Sequence, residues 1–290
     1  MSFSRVGIFV LILLTIFIGA NCSYYNRIIT RKNLVDGGRA YKDRKFQEAE
    51  QLFRDAVARD PEGVTMEGKT AQLFLARTLH SQYIGNRSIT DKAEEAIKEY
   101  KNVLARDIKD NSSFSAVANL LENLKRDDEW LQWVTDRANN EQVPPEQRAE
   151  ALTKLAAKKY SCANDVSDAE PVKKTVTKGD KSEYVFTKPQ DPNAFEEFKR
   201  CVAEGNELTD RAVKFDPNSD AVWSYKANML VQQMRLAEME GRPAPEQEDL
   251  RAKAEEAKER FTELARVKRE KEEAEEARKK AEAEAAANKK

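Results

Sequence analysis

The sequence predicts an all-α protein of helix hairpins stacked in chain order, with one small β-hairpin inserted between two helices. Three observations carry this reading. Glycine (10) and proline (9) are scarce in 290 residues, while alanine, glutamate, lysine and leucine abound, a balance that favours helix. Phe46, Ala49, Phe53 and Ala56 recur three and four residues apart, placing one apolar stripe on a single helix face. Asp60-Pro61 then ends that helix, because proline cannot continue it. The same small-then-aromatic rhythm returns at Ala96–Tyr100 and Ala257–Phe261. Alanines set between aromatic residues let a second helix approach closely.

The stretch Asn33–Pro61 resembles a tetratricopeptide repeat. Ala49, Phe53 and Pro61 meet the Ala-x3-Phe…Pro half of that motif, and Gly37 stands at the family's glycine, whereas Asn33 and Asp36 replace its usual tryptophan and leucine. The resemblance implies a tetratricopeptide-like α-solenoid whose concave face takes peptides or protein segments.

Composition narrows the chemistry. Charged residues make up 35% of the chain yet balance to a net charge of -1, so no global field favours nucleic acid or an anionic membrane. Three cysteines and one histidine make a protein-held zinc site improbable, and no metal is expected. No phosphate-cradling glycine loop, H-E-x-x-H or G-x-S-x-G motif is present. His80, the single histidine, has no nucleophile or orienting group near it in sequence and reads as a surface or packing residue. Neither enzymatic activity nor a cofactor is expected.

The N-terminus reads as an export signal, residues 1–21. Arg5 precedes the apolar run Val6–Ile18, which Gly19 and Ala20 follow. About 15 apolar residues make roughly 22 Å of helix, short of a hydrocarbon core. Cys22 resembles the lipidated cysteine of a bacterial lipobox, which implies a lipid-anchored protein of the cell envelope. Ser23 then points to the outer membrane, facing the periplasm. An uncleaved anchor and an ordinary cleaved signal are the alternatives.

The repeat region spans residues 22–244. After the first pair, a second runs from about Lys69, broken at Gly85–Ser88 and resumed at Ala93, Ala96 and Tyr100. Ser112-Ser113 is expected to cap a third pair, with Trp130 and Trp133 in its second helix. Pro144-Pro145 opens the next helix, expected to end at Cys162. Its partner runs from about Asn193 to Phe215, where Ala212 and Pro217 repeat the Ala56–Pro61 separation. Between them, residues 163–192 carry β-branched runs around Gly179-Asp180, a hairpin signature. An isolated hairpin is marginal in water, so this one should lean on the helices or on a partner.

Ser219-Asp220 is expected to cap another helix, in which Trp223, Ala227 and Leu230 sit at the family's Trp-x3-Gly-x2-Tyr spacing, and residues 245–290 form a last helix that continues as a charged, solvated one. Oppositely charged residues there sit three and four apart, while the apolar a and d positions of a coiled coil are missing. Trp130, Trp133 and Trp223 read as packing residues before partner anchors. Cys162 and Cys201 fall at one end of a helix hairpin, where an exported protein is expected to form a disulfide. Together these readings describe a membrane-anchored adaptor for protein partners in envelope assembly. The alternative is a structural envelope spacer.

Overall fold

The computed structural model describes residues 25–178 and 181–287, and among them ten helices and one two-stranded antiparallel sheet. The described chain is all-α apart from that sheet. Residues 1–21, Cys22 and Ser23 lie outside the described residues, as does the Gly179-Asp180 turn. Contacts divide the chain into two packed units, residues 1–130 and 131–290.

In the first unit, α1 (25–42) and α2 (Phe46–Arg59) form the opening hairpin. The chain reverses through Arg44, which adopts a left-handed φ of 59°, so that the Lys45 N–H reaches Ala40 O at 2.9 Å. Glycine at position 37 is what lets the two helices close: a Cβ there would stand 2.7 Å from Cε1 of the buried Phe53. Then come α3 (Met66–Gly85), α4 (Thr90–Arg106) and α5 (Asn111–Asn123), each packed on its predecessor.

Two boundaries in this unit differ from expectation. Helix α3 starts at Met66 rather than near Lys69, because Thr65 Oγ1 accepts the Gly68 N–H at 3.0 Å and caps it. Asp110, not Ser112 or Ser113, caps α5: its Oδ1 accepts the Ser113 N–H at 2.8 Å, and Ser113 is buried in the first turn.

Glu50 ties α2 to its neighbours. Its carboxylate accepts from Arg54 Nε (2.8 Å), from Gln82 Nε2 of α3 (2.7 Å) and from Lys92 Nζ of α4 (2.9 Å). Arg54 also pairs with Glu95 of α4. Helix α2 therefore meets both following helices, as stacked hairpins require. Helix α6 (Asp127–Asn139) contains the division between the units.

In the second unit, α7 (Pro145–Ser167) packs on α8 (Pro192–Phe215) and on α9 (Asp220–Glu240), and α9 packs on α10 (Ala244–Ala287). Helix α7 does not end at Cys162 but runs on to Ser167, whose buried Oγ donates to Gln232 Oε1 at 2.9 Å. That polar contact with α9 holds the extra turn.

The inserted strands β1 (Lys173–Lys178) and β2 (Lys181–Phe186) pair from Lys173↔Phe186 to Lys178↔Lys181. As expected, the hairpin leans on helices. Val172 and Phe186 join Phe198, Val202, Leu236 and Met239 in one core cluster. The Phe186 N–H donates to Glu238 Oε1 at 3.0 Å, and the Arg235 guanidinium lies 4.6 Å from the Phe186 ring centre. Cys162 and Cys201 are joined, linking α7 to α8.

Candidate functional site

Most repeat-signature residues build the core. Gly37, Ala49, Phe53, Ala56, Ala96, Tyr100, Ala212 and Ala257 are buried, while Phe46, Trp223 and Phe261 are half-buried. Pro61 and Pro217 differ from their expected packing role: both are exposed, each just beyond a helix C-cap, Asp60 and Asp216. Trp223 turns its indole N–H to the Pro217 carbonyl at 2.9 Å. Of the other two tryptophans, Trp130 is buried and Trp133 half-buried.

These buried stripes leave an open groove of about 610 Å³ in the first unit. Three segments shape it. The end of α1 and its turn supply Tyr41, Lys42 and Arg44, followed by Phe46 from the start of α2. One face of α3 supplies Arg77, His80, Ser81 and Ile84, residues three and four apart and so aligned along the helix. Tyr100 of α4 closes the end.

The groove wall is held rigidly from behind. The Tyr41 ring meets Phe46 edge-on at 5.5 Å and Phe74 at 6.0 Å, and its hydroxyl lies 3.1 Å from Ser81 Oγ. Phe74 in turn packs on Phe53 at 5.6 Å, so the signature phenylalanine supports the wall at one remove. Arg77 spreads its guanidinium 5.4 Å from the Phe74 ring centre. His80 Nδ1 lies 3.4 Å from the Tyr100 hydroxyl, with the two rings edge-on.

Its electrostatics point one way. Burial, with the Arg87 charge adding to it, lowers the His80 pKa from 6.5 and keeps the ring neutral near pH 7. Burial likewise pushes the Tyr100 phenol up, so it stays a hydroxyl. Lys42, Arg44 and Arg77 supply the cationic groups, and among the described residues no Asp or Glu lines the groove. Aromatic walls beside unopposed cations suit an extended chain that carries carboxylates and apolar side chains. His80 thus lines the site rather than only packing. A signal for it was present in the Arg77–His80–Ser81–Ile84 spacing, but the residues facing it come from two other segments.

Within each unit helices pack on their neighbours in chain order, and the small-aromatic stripe is buried. The architecture is tetratricopeptide-like. No family model matches the chain, and no curated protein matches it. Solved structures with which the chain aligns include Pseudomonas aeruginosa pilF, at 15% identity, covering 85% of this chain and 87% of that one, with a TM-score of 0.40. MamA from Desulfovibrio magneticus RS-1 aligns at 12% identity over 83% of this chain and 96% of that one, with a TM-score of 0.36. YrrB, described as a TPR protein with an unusual peptide-binding site, aligns at 13% over 67% and 90%, with a TM-score of 0.31.

Proposed function

We propose that this protein is a membrane-tethered, periplasm-facing scaffold whose first unit holds an extended acidic segment of a partner protein. The observation that carries the reading is the groove itself, where Lys42, Arg44 and Arg77 stand unopposed beside Tyr41, Phe46 and Tyr100. Tethering is read from the sequence Gly19-Ala20-Asn21-Cys22 after an apolar run. The Cys162–Cys201 bridge supports an oxidising compartment. On this reading Cys22 carries the lipid anchor, in the outer membrane, and the bound partner belongs to envelope assembly.

Two measurements test it. Fluorescence anisotropy with acidic, aromatic-containing peptides should give saturable binding that Arg77→Ala weakens about tenfold or more, the cost of one charge-assisted contact. Binding that ignores Arg77→Ala and Lys42→Ala alike would remove the groove from the function. For the tether, palmitate labelling in cells should be lost on Cys22→Ser. The spacer reading finds support in the long exposed end of α10, and in-cell cross-linking separates the two. Defined proteins captured at Tyr41 or Ile84 favour the scaffold, and cell-wall adducts alone favour the spacer.

A further inference from the structure

Helix α1 presents an outer face that no described part of the chain covers. Its exposed residues are Tyr25, Ile28 and Val35 together with Arg27, Arg31, Lys32, Arg39 and Lys42. At 100° per residue the three apolar side chains fall within an 80° arc that also holds Lys32 and Arg39, with Arg31 and Lys42 on one side of it. None of these exposed residues is acidic. Asp36, half-buried, reaches Arg39 at 3.5 Å.

The loop before α3 extends the patch. Arg27 pairs with Glu67 at 3.4 Å, and Arg59 reaches the Asn26 side chain at 3.4 Å, so this loop lies beside the start of α1. Val64 of this loop at 79% and Met66, the first residue of α3, at 72% exposure are the two most exposed large hydrophobic residues described, and Glu62 is the one exposed carboxylate of the loop.

Charge and position choose the occupant. Arg27, Arg31, Lys32, Arg39 and Lys42 against Asp36 give α1 a net charge of 5 − 1 = +4, in a chain whose total is -1. Six residues separate α1 at Tyr25 from the apolar run ending at Ile18. A helix whose exposed face mixes apolar side chains with cations, next to a membrane-directed segment, has the composition of one resting on an anionic lipid surface. We infer that the outer face of α1, with Val64 and Met66, rests on the surface of an anionic phospholipid bilayer. This goes beyond the groove reading and does not depend on it; the tether supplies only proximity.

The test uses the full chain with vesicles of phosphatidylcholine alone or of phosphatidylcholine with phosphatidylglycerol. Flotation is followed by brief acetylation, with peptide mass spectrometry of Lys32 and Lys42 against Lys214 as the internal standard. On anionic vesicles Lys32 and Lys42 should react severalfold more slowly, and on neutral ones at the rate seen in detergent. Arg31→Gln with Arg39→Gln, both at exposed positions, should weaken docking about 25-fold, taking about fivefold per cation, and restore the reactivity of both lysines. Equal reactivity on the two vesicles overturns the inference. So does protection in detergent that grows with protein concentration, which would mark a second copy on this face. Flotation with both vesicles supports the tether. Flotation with anionic vesicles alone removes the tether and keeps the docking, and flotation with neither overturns the docking.

Discussion

Gly37 and Phe53 meet so closely that a single added carbon on the glycine would stand 2.7 Å from the phenylalanine ring. In a helix, glycine to alanine ordinarily gains about 1 kcal/mol, whereas overpacking a core costs about 1–3 kcal/mol. Phe53 is fully buried and backed by Phe74, so the ring has no room to retreat. Gly37→Ala should therefore destabilise the first unit, by up to about 2 kcal/mol, in denaturant melts. Gly38→Ala is the control: nothing lies within 4 Å of its added carbon, and it should stabilise. Equal effects at the two positions would refute the close approach.

Glu50 predicts an acid limb. Burial raises its pKa, but hydrogen bonds from Lys92, Gln82 and Arg54 outweigh that and hold it below the ordinary 4.5. A carboxyl with a depressed folded-state pKa contributes stability that is complete above its unfolded value and is lost as pH falls through the folded one. Glu50→Gln should cost about 1–3 kcal/mol near neutral pH. It should also shrink the loss of stability below about pH 4.5. Asp60, held low after burial by hydrogen bonds from Thr65 and Val64, keeps part of that limb in the variant.

The bridge between Cys162 and Cys201 closes a loop of 39 residues. Chain entropy values such a closure at roughly 4 kcal/mol. Reduction, or the double change to serine, should lower the melting temperature of the second unit and leave the first unit's transition in place. A drop in both transitions would contradict the division near Trp130.

Phe186 anchors the inserted hairpin. Its ring is buried among Phe198, Leu236 and Met239, and Phe186→Ala should cost about 3 kcal/mol. Hydrogen exchange should then rise across residues 173–186 before it rises in α8.

The far end of α10 predicts the opposite behaviour. Beyond Lys268, which reaches Asp220 at 3.2 Å, the described residues are exposed and pair only along the helix, as Lys279 does with Glu275 at 2.6 Å. Such pairs hold about 0.2–0.5 kcal/mol each and none ties this segment to the core. Deleting residues 270–290 should change the second unit's stability by no more than about 0.5 kcal/mol.

Much of this was legible in the chain because periodicity reports which side of a helix is hidden. Ala49, Phe53 and Ala56 announced α2, the runs around residues 172–187 announced the strands, and the cysteine positions announced their bridge. Helix ends were harder. Ser112 and Ser113 are as good a pair of caps as Asp110 by type, and only the fold of the preceding turn chose between them. By sequence Cys162 ends α7, because polar residues follow it, yet Ser167 and Asn164 find polar partners on α9. The groove was hidden for another reason. Lys42 and Arg44 lie far in the chain from Arg77 and Tyr100, and side-chain spacing within one helix says nothing of which cations a turn and a later helix will gather.

The covalent link between α7 and α8 also has a consequence for what a protease can accomplish. Cutting the backbone anywhere in the 168–191 segment separates no fragment, since the sulfur link still joins what lies on either side. The nicked molecule would run as one species until a reductant is added, and a clipped population would pass unnoticed on any gel run without one.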